Sequence, residues 1–153
     1  MNGVDNLLTL ARVMCRVDVA SKKRIFELAA QQIAESDVNL IDTDVYGQLL
    51  AREKLGSTGL GTGVAVPHCR VEGCTEPMGC LVTLSEAIAF DAPDDQPVDL
   101  LFVLLVPAEA RQEHLDILAE LAKRFSDPSY CAHLRAARSE QELLASALIT
   151  KAA

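Results

Sequence analysis

Hydrophobic positions fall into two rhythms along this chain, one of helical spacing and one of continuous apolar runs. From Ser21 onward Ile25, Leu28, Ala29 and Ile33 recur every three or four residues, which predicts an amphipathic helix with Ser21 as its N-cap. Asp42 is placed to cap a second helix with Val45 and Leu49 on one face, and Gly56 stands where a left-handed C-terminal turn would need a glycine. Arg52 then falls in that helix's last turn. Val64 to Val66 reads as a short strand stopped by Pro67, and Gly79 to Leu84 as another. Val98 to Val106 is apolar except for Asp99, the pattern of a strand buried on both faces, and is expected at the centre of the sheet.

Beyond Pro107 the spacing of Leu115, Leu118, Ala122 and Phe125 predicts a helix with these four on its apolar face and His114 near its N-terminus. Asp127-Pro128 is a cap followed by a first-turn proline, and Ser139 to Glu142 is a capping box ahead of Leu143, Leu144, Ala147 and Leu148. Strands interleaved with helices imply an α/β fold, a single layered domain. At 153 residues the chain is the length of one unit, with a core expected from about residue 5 to about residue 150.

Charge narrows the partners. Fourteen Lys and Arg against 22 Asp and Glu give a formal charge of −8, and no basic run suited to a phosphate backbone occurs, so nucleic acid is not expected as a partner. The apolar patch Leu7 to Ala11 is flanked by Asp5, Arg12, Arg16 and Asp18 and makes no signal-peptide core, and Leu100 to Val106 is too short to cross a bilayer. A cytoplasmic protein without membrane insertion is expected. Five cysteines, Cys15, Cys69, Cys74, Cys80 and Cys131, are odd in number and irregularly spaced, which argues for reduced thiols.

The segment from Arg52 to His68 carries the candidate chemistry. Neutral imidazole is a nucleophile near pH 7 that can hold and pass on a phosphoryl group, so His68, after Pro67, is the first candidate. It is expected at a strand's exit, facing a cleft. Gly59, Gly61 and Gly63 leave backbone N–H groups open to an anion, Ser57 and Thr58 add hydroxyl donors, and Arg52 offers a planar fork to phosphoryl oxygens. His114, near a helix N-terminus, would be favoured in its neutral form with one N–H to donate.

Other readings of these residues fit less well. A dinucleotide fingerprint follows a strand and opens a helix, whereas the order here is helix, loop, strand, and a P-loop would end in Gly-Lys-Ser/Thr where this loop runs into Val64. His68 with Cys69, Cys74 and Cys80 lacks a Cys-x-x-Cys pair, so no metal is expected. Cys69 and His68, adjacent on extended chain, would point to opposite faces and make a poor nucleophile and base. His133 lies on a short polar helix and reads as a surface residue.

The run Leu55-Gly-Ser-Thr-Gly-Leu-Gly-Thr-Gly-Val-Ala-Val-Pro-His68, then Phe90-Asp91-Ala92, Gln96-Pro97-Val98-Asp99, and Val106-Pro107 with His114-Leu115, resembles the IIA domains of the mannitol/fructose class of the bacterial phosphoenolpyruvate-dependent phosphotransferase system, most of all the nitrogen-regulatory type. The resemblance runs from Ser21-Lys22-Lys23 to the last helix. It implies a mixed sheet flanked by helices on both sides, a phosphohistidine at the Nε2 (tele) nitrogen of His68, and support from Arg52 and His114. It also implies an HPr-like or NPr-like phosphocarrier as donor, no metal or organic cofactor, and regulatory targets such as potassium-transport or sensor proteins. A separate IIB protein of fructose or polyol transport is the alternative recipient, and a binding module that carries no phosphate is a third reading. A homodimer is left open. The chain departs from the pattern at Cys69, where glycine is expected, and at Thr62, where asparagine is common.

Overall fold

The computed structural model describes residues 6–110 and 112–148. The expected core limits at residues 5 and 150 lie just outside them. A six-stranded mixed sheet is built from β1 (Val13–Val17), β2 (Gly59–Gly61), β3 (Val64–Ala65), β4 (His68–Val71), β5 (Met78–Ile88) and β6 (Val98–Pro107). Among the described residues five α-helices accompany it: α1 (Lys22–Ser36), α2 (Asp42–Lys54), α3 (Gln112–Phe125), α4 (Pro128–Ala136) and α5 (Glu140–Leu148). Strand order is β1-β5-β6-β3-β2, with β4 also paired to β6.

The apolar run Val98–Val106 is central, as expected. Antiparallel β5 lies on one side of β6, and parallel β3 and β4 lie on the other. Alternation along β6 divides the core in two. Leu101, Val103 and Leu105 pack with Ile25, Phe26, Ile33, Val45 and Leu49 of α1 and α2. Leu100, Phe102, Leu104 and Val106 pack with Leu121, Phe125, Leu134 and Leu143 of α3 to α5. Helices therefore cover both faces of the sheet, the arrangement that lets β6 be apolar throughout.

Several caps follow the sequence. Ser21 Oγ accepts from the Arg24 N–H, Asp127 accepts from the Ser129 N–H ahead of Pro128, and Ser139 Oγ accepts from the Glu142 N–H. Asp42 does not cap α2. It is the helix's first residue, the cap position belongs to Ile41, and the Asp42 carboxylate accepts from the Thr43 N–H beside it. Nor does Gly56 make the expected left-handed turn: Leu55 stays right-handed at the C-cap and Gly56 has a φ of 157°.

Two strand readings are corrected. Val13–Val17 was not anticipated as a strand because Arg16 interrupts its apolar pattern; it pairs parallel to β5 with a register shift between Met14 and Val17, and Arg16 takes a positive φ of 52° there. The second correction concerns Pro67, which interrupts a strand without ending it. Val64 and Ala65 pair with Leu100 and Leu101, and His68 to Val71 pair with Leu104 to Pro107 in the same register, so β3 and β4 are two pieces of one line along β6. Proline has no ladder N–H to give, and the break falls at Val66-Pro67.

Candidate functional site

The break in that strand creates the local geometry of His68. The Val66 N–H turns away to donate to the Thr58 carbonyl at 3.0 Å, while the Pro67 carbonyl still accepts from the Leu104 N–H at 2.8 Å. The Val66 carbonyl is then met by His68 Nδ1 at 2.8 Å. A carbonyl only accepts, so Nδ1 carries the proton and the neutral ring keeps its lone pair on Nε2. His68 thus stands at the start of β4 and not at a strand's exit, half-buried, on the face of the sheet that α3 covers.

His114, the third residue of α3, lies against it. The two imidazoles meet edge to face with centroids 5.3 Å apart. His114 is buried, and among the described residues its Nδ1 has no hydrogen-bond partner. In the Nε2–H tautomer the unpaired Nδ1 is an acceptor, which costs less than an unpaired buried N–H. The buried face of α3 differs from the expected one: His114, Leu121 and Phe125 are buried, whereas Leu115 is exposed at 61% and Ala122 is exposed. A histidine opens the stripe that leucine was expected to open.

Both rings are held toward neutrality. Burial lowers the pKa of His68 from 6.5; the Val66 hydrogen bond opposes this, the Arg52 charge adds to it, and Glu53 opposes it. His114 is lowered by burial first, then by the charges of His68, Arg70 and Arg52. Arg52, in the last turn of α2, donates from Nη1 to the Gly56 carbonyl at 3.0 Å, and its charge reaches both histidines. The structure therefore brings Arg52, His68 and His114 into one electrostatic site.

The glycine-rich segment is placed otherwise than a phosphate cradle requires. It forms a β2–β3 hairpin whose turn has Thr62 at φ 56° and Gly63 at φ 82°, the double positive φ of a tight primed turn. The Thr62 N–H is taken by Asp94, and Arg135 bridges the Thr62 carbonyl to Asp99. Gly61 and Gly63 lie at this tip, and an extended chain from Val64 to His68 spans about 13 Å. Nearer to His68, Ser57 Oγ donates to the Phe90 carbonyl and accepts from the Gly59 N–H, while both the N–H and hydroxyl of Thr58 donate to Glu53. The donors expected of Ser57, Thr58 and Gly59 are engaged within the protein.

Sequence reasoning passed over Glu53 and Arg70. Glu53 continues the buried stripe of Val45 and Leu49 at the next fourth position, a charged residue where a leucine would fit, and that spacing was the available signal. Arg70 shares the strand face of His68 at two residues' remove, and its Nε donates to the Ala110 carbonyl. His133 is exposed, as expected. All five cysteines are free thiols, and Cys69 is buried on the opposite face from His68, its pKa pushed up to about 12 by burial. Among the described residues no group of three or more His, Cys, Asp or Glu is placed to hold a metal, and no helix is long and apolar enough to cross a membrane.

Residues 6–150 match the family described as phosphoenolpyruvate-dependent sugar phosphotransferase system, EIIA 2. The chain belongs to this family. The nitrogen regulatory protein of Escherichia coli (strain K12) is 44% identical over 150 residues, covering 94% of this chain and 91% of that protein. The crystal structure of nitrogen regulatory protein IIA-Ntr from Neisseria meningitidis superposes with a TM-score of 0.86 at 43% identity, over 94% of this chain and 98% of that one. The EIIA fold extends further: the mannitol enzyme IIA of Escherichia coli, solved in complex with phosphorylated enzyme IIB, has a TM-score of 0.75 at 22% identity, covering 92% and 96% of the two chains. The expected mixed sheet flanked by helices is thus the EIIA type-2 fold, and the similarity to nitrogen regulatory proteins spans nearly the whole chain.

Proposed function

We propose that this EIIA protein is a histidine phosphocarrier whose acceptor atom is Nε2 of His68, and that residues 1–153 act as one such unit in the cytoplasm. The observation that carries the reading is the 2.8 Å contact from His68 Nδ1 to the Val66 carbonyl, which directs the lone pair to Nε2. The donor is the phosphohistidine of an HPr-like or NPr-like carrier. As the new N–P bond forms at Nε2, the donor's N–P bond breaks and its imidazole regains the electron pair. Charge on the phosphoryl oxygens is met by the Arg52 guanidinium and by the Nε2–H of His114. Free and phosphorylated forms then differ by a buried-edge dianion, which is how regulatory targets such as potassium-transport or sensor proteins distinguish them.

A second reading, favoured by the fold shared with an enzyme IIA solved against its IIB, is transfer onward to a separate IIB protein of sugar transport. Incubation with phosphoenolpyruvate, enzyme I and the cognate carrier should place acid-labile label on the wild type and none on His68→Ala. Equal labelling of the two would refute the acceptor assignment, and absence of label on both would leave a binding module. Chase of label onto a IIB protein would favour the second reading.

A further inference from the structure

Glu53 is the buried carboxylate that the phosphocarrier chemistry above leaves without a task. Its side chain is 6% exposed, and its two oxygens take three donors: Lys22 Nζ at 2.9 Å, the Thr58 N–H at 3.1 Å and the Thr58 hydroxyl at 2.7 Å. Lys22 is itself fixed, with Nζ 4.3 Å from the centre of the Phe90 ring. A carboxylate buried with this much compensation is costly to disturb, because removing one partner strands the others. Thr58 continues the connection. Its carbonyl accepts from the Val66 N–H, and the Val66 carbonyl accepts from His68 Nδ1. Lys22, Glu53, Thr58, Val66 and His68 are joined by successive hydrogen bonds running from the N-terminus of α1, through the last turn of α2, to the acceptor ring.

We infer that Glu53 is a positioning residue for phosphoryl transfer: by clamping Thr58 to the end of α2 it holds the Val66 carbonyl on His68 Nδ1 and keeps Nε2 free and aimed. The inference rests on the phosphocarrier reading for its consequence, and on geometry alone for the clamp. The links pass through both the N–H and the C=O of Thr58 and of Val66, which belong to different peptide groups, so the chain transmits position and not a continuous polarisation. Arg52 precedes Glu53 in the same helical turn, so the clamp fixes the guanidinium's anchor against the same strand.

Two measurements test it on the intact protein. Ring nitrogen-15 shifts of unphosphorylated His68 report the tautomer, and the rate of label uptake reports transfer. Glu53→Gln replaces one accepting oxygen with an NH2 that faces donors; it should mix the two His68 tautomers and slow uptake on the order of 10²-fold, the penalty for misplacing a reacting group by about 1 Å. Thr58→Val keeps the Lys22 pair and removes only the hydroxyl link, and should act in the same direction to a smaller extent, with Thr58→Ser restoring both readouts. A folded Glu53→Gln with a single Nδ1–H tautomer and the wild-type rate overturns the inference. If Glu53→Gln does not fold, the same result from Thr58→Val overturns it. Should the wild type take no label, the phosphocarrier reading fails while the tautomer still decides the clamp.

Discussion

The imidazole of His68 presents itself to that of His114 at an interplanar angle of 89°, so that two neutral rings share one partly dry site without stacking. Both are held below the ordinary histidine value, chiefly by burial. Nuclear magnetic resonance titration should find both midpoints below 6.5. In His68→Gln the His114 midpoint should rise, because a neighbouring charge that disfavours its protonation is gone.

The same shifts set a pH dependence of stability. A histidine whose folded pKa is lowered binds fewer protons folded than unfolded, so stability is full above about 6.5 and falls as the pH drops through the folded values. Urea midpoints at pH 7.5 and pH 5 should therefore differ more for the wild type than for the double variant His68→Gln/His114→Gln. A double variant with the wild-type acid slope would mean that neither ring is shifted.

Arg52 should be irreplaceable by lysine. A guanidinium can keep its bond to the Gly56 carbonyl while directing other N–H groups at phosphoryl oxygens, whereas an ammonium on a flexible stem offers a point charge. Arg52→Lys is expected to keep the fold and lose on the order of 10-fold in label uptake, and Arg52→Gln on the order of 10²-fold, comparable to loss of one fixed donor. His114→Ala should fall in the latter range.

Cys69 adjoins His68 yet should be chemically silent. With its thiol pushed up to about 12, and those of Cys74 and Cys80 to about 11 and about 12, thiolate is scarce at neutral pH. Alkylation followed by peptide mapping should modify half-buried Cys15 first and reach Cys69 only on unfolding. Rapid native labelling of Cys69 would contradict its burial.

How legible the fold was in the sequence depended on whether local pattern or tertiary contact decided each element. The run from Val98 to Val106, apolar except for Asp99, could only be a buried strand, and Ser21 and Asp127 cap their helices through local bonds. By contrast, α3 has leucine or isoleucine at 115, 117, 118 and 121, so more than one face was apolar enough, and packing against the sheet selected the one holding His114. The glycines between 59 and 63 suit an anion cradle on sequence because glycine permits both close approach and positive φ, and only the β2–β3 hairpin pairing distinguishes the two uses. Arg52, His68 and His114 were named from residue chemistry. Glu53 was not, since a carboxylate within a helical stripe acquires its meaning from Lys22 and Thr58, both outside that helix.

Gly79 should resist any side chain. It pairs with Leu104 in the central ladder, and a Cβ there would lie 2.4 Å from the ring of Phe102, a fully buried side chain. Gly79→Ala is expected to cost about 1–3 kcal/mol, the range for overpacking a close-packed core, measured as a lower urea midpoint at unchanged slope. Phe102 also touches Phe125 of α3, with centroids 6.1 Å apart, so a displaced ring would push on the helix that carries His114. Gly79→Ala should accordingly slow label uptake as well as destabilise, and a second change, Phe102→Leu, should recover part of both by vacating the space the new methyl needs. An unchanged midpoint in Gly79→Ala would show that the Phe102 ring is free to move.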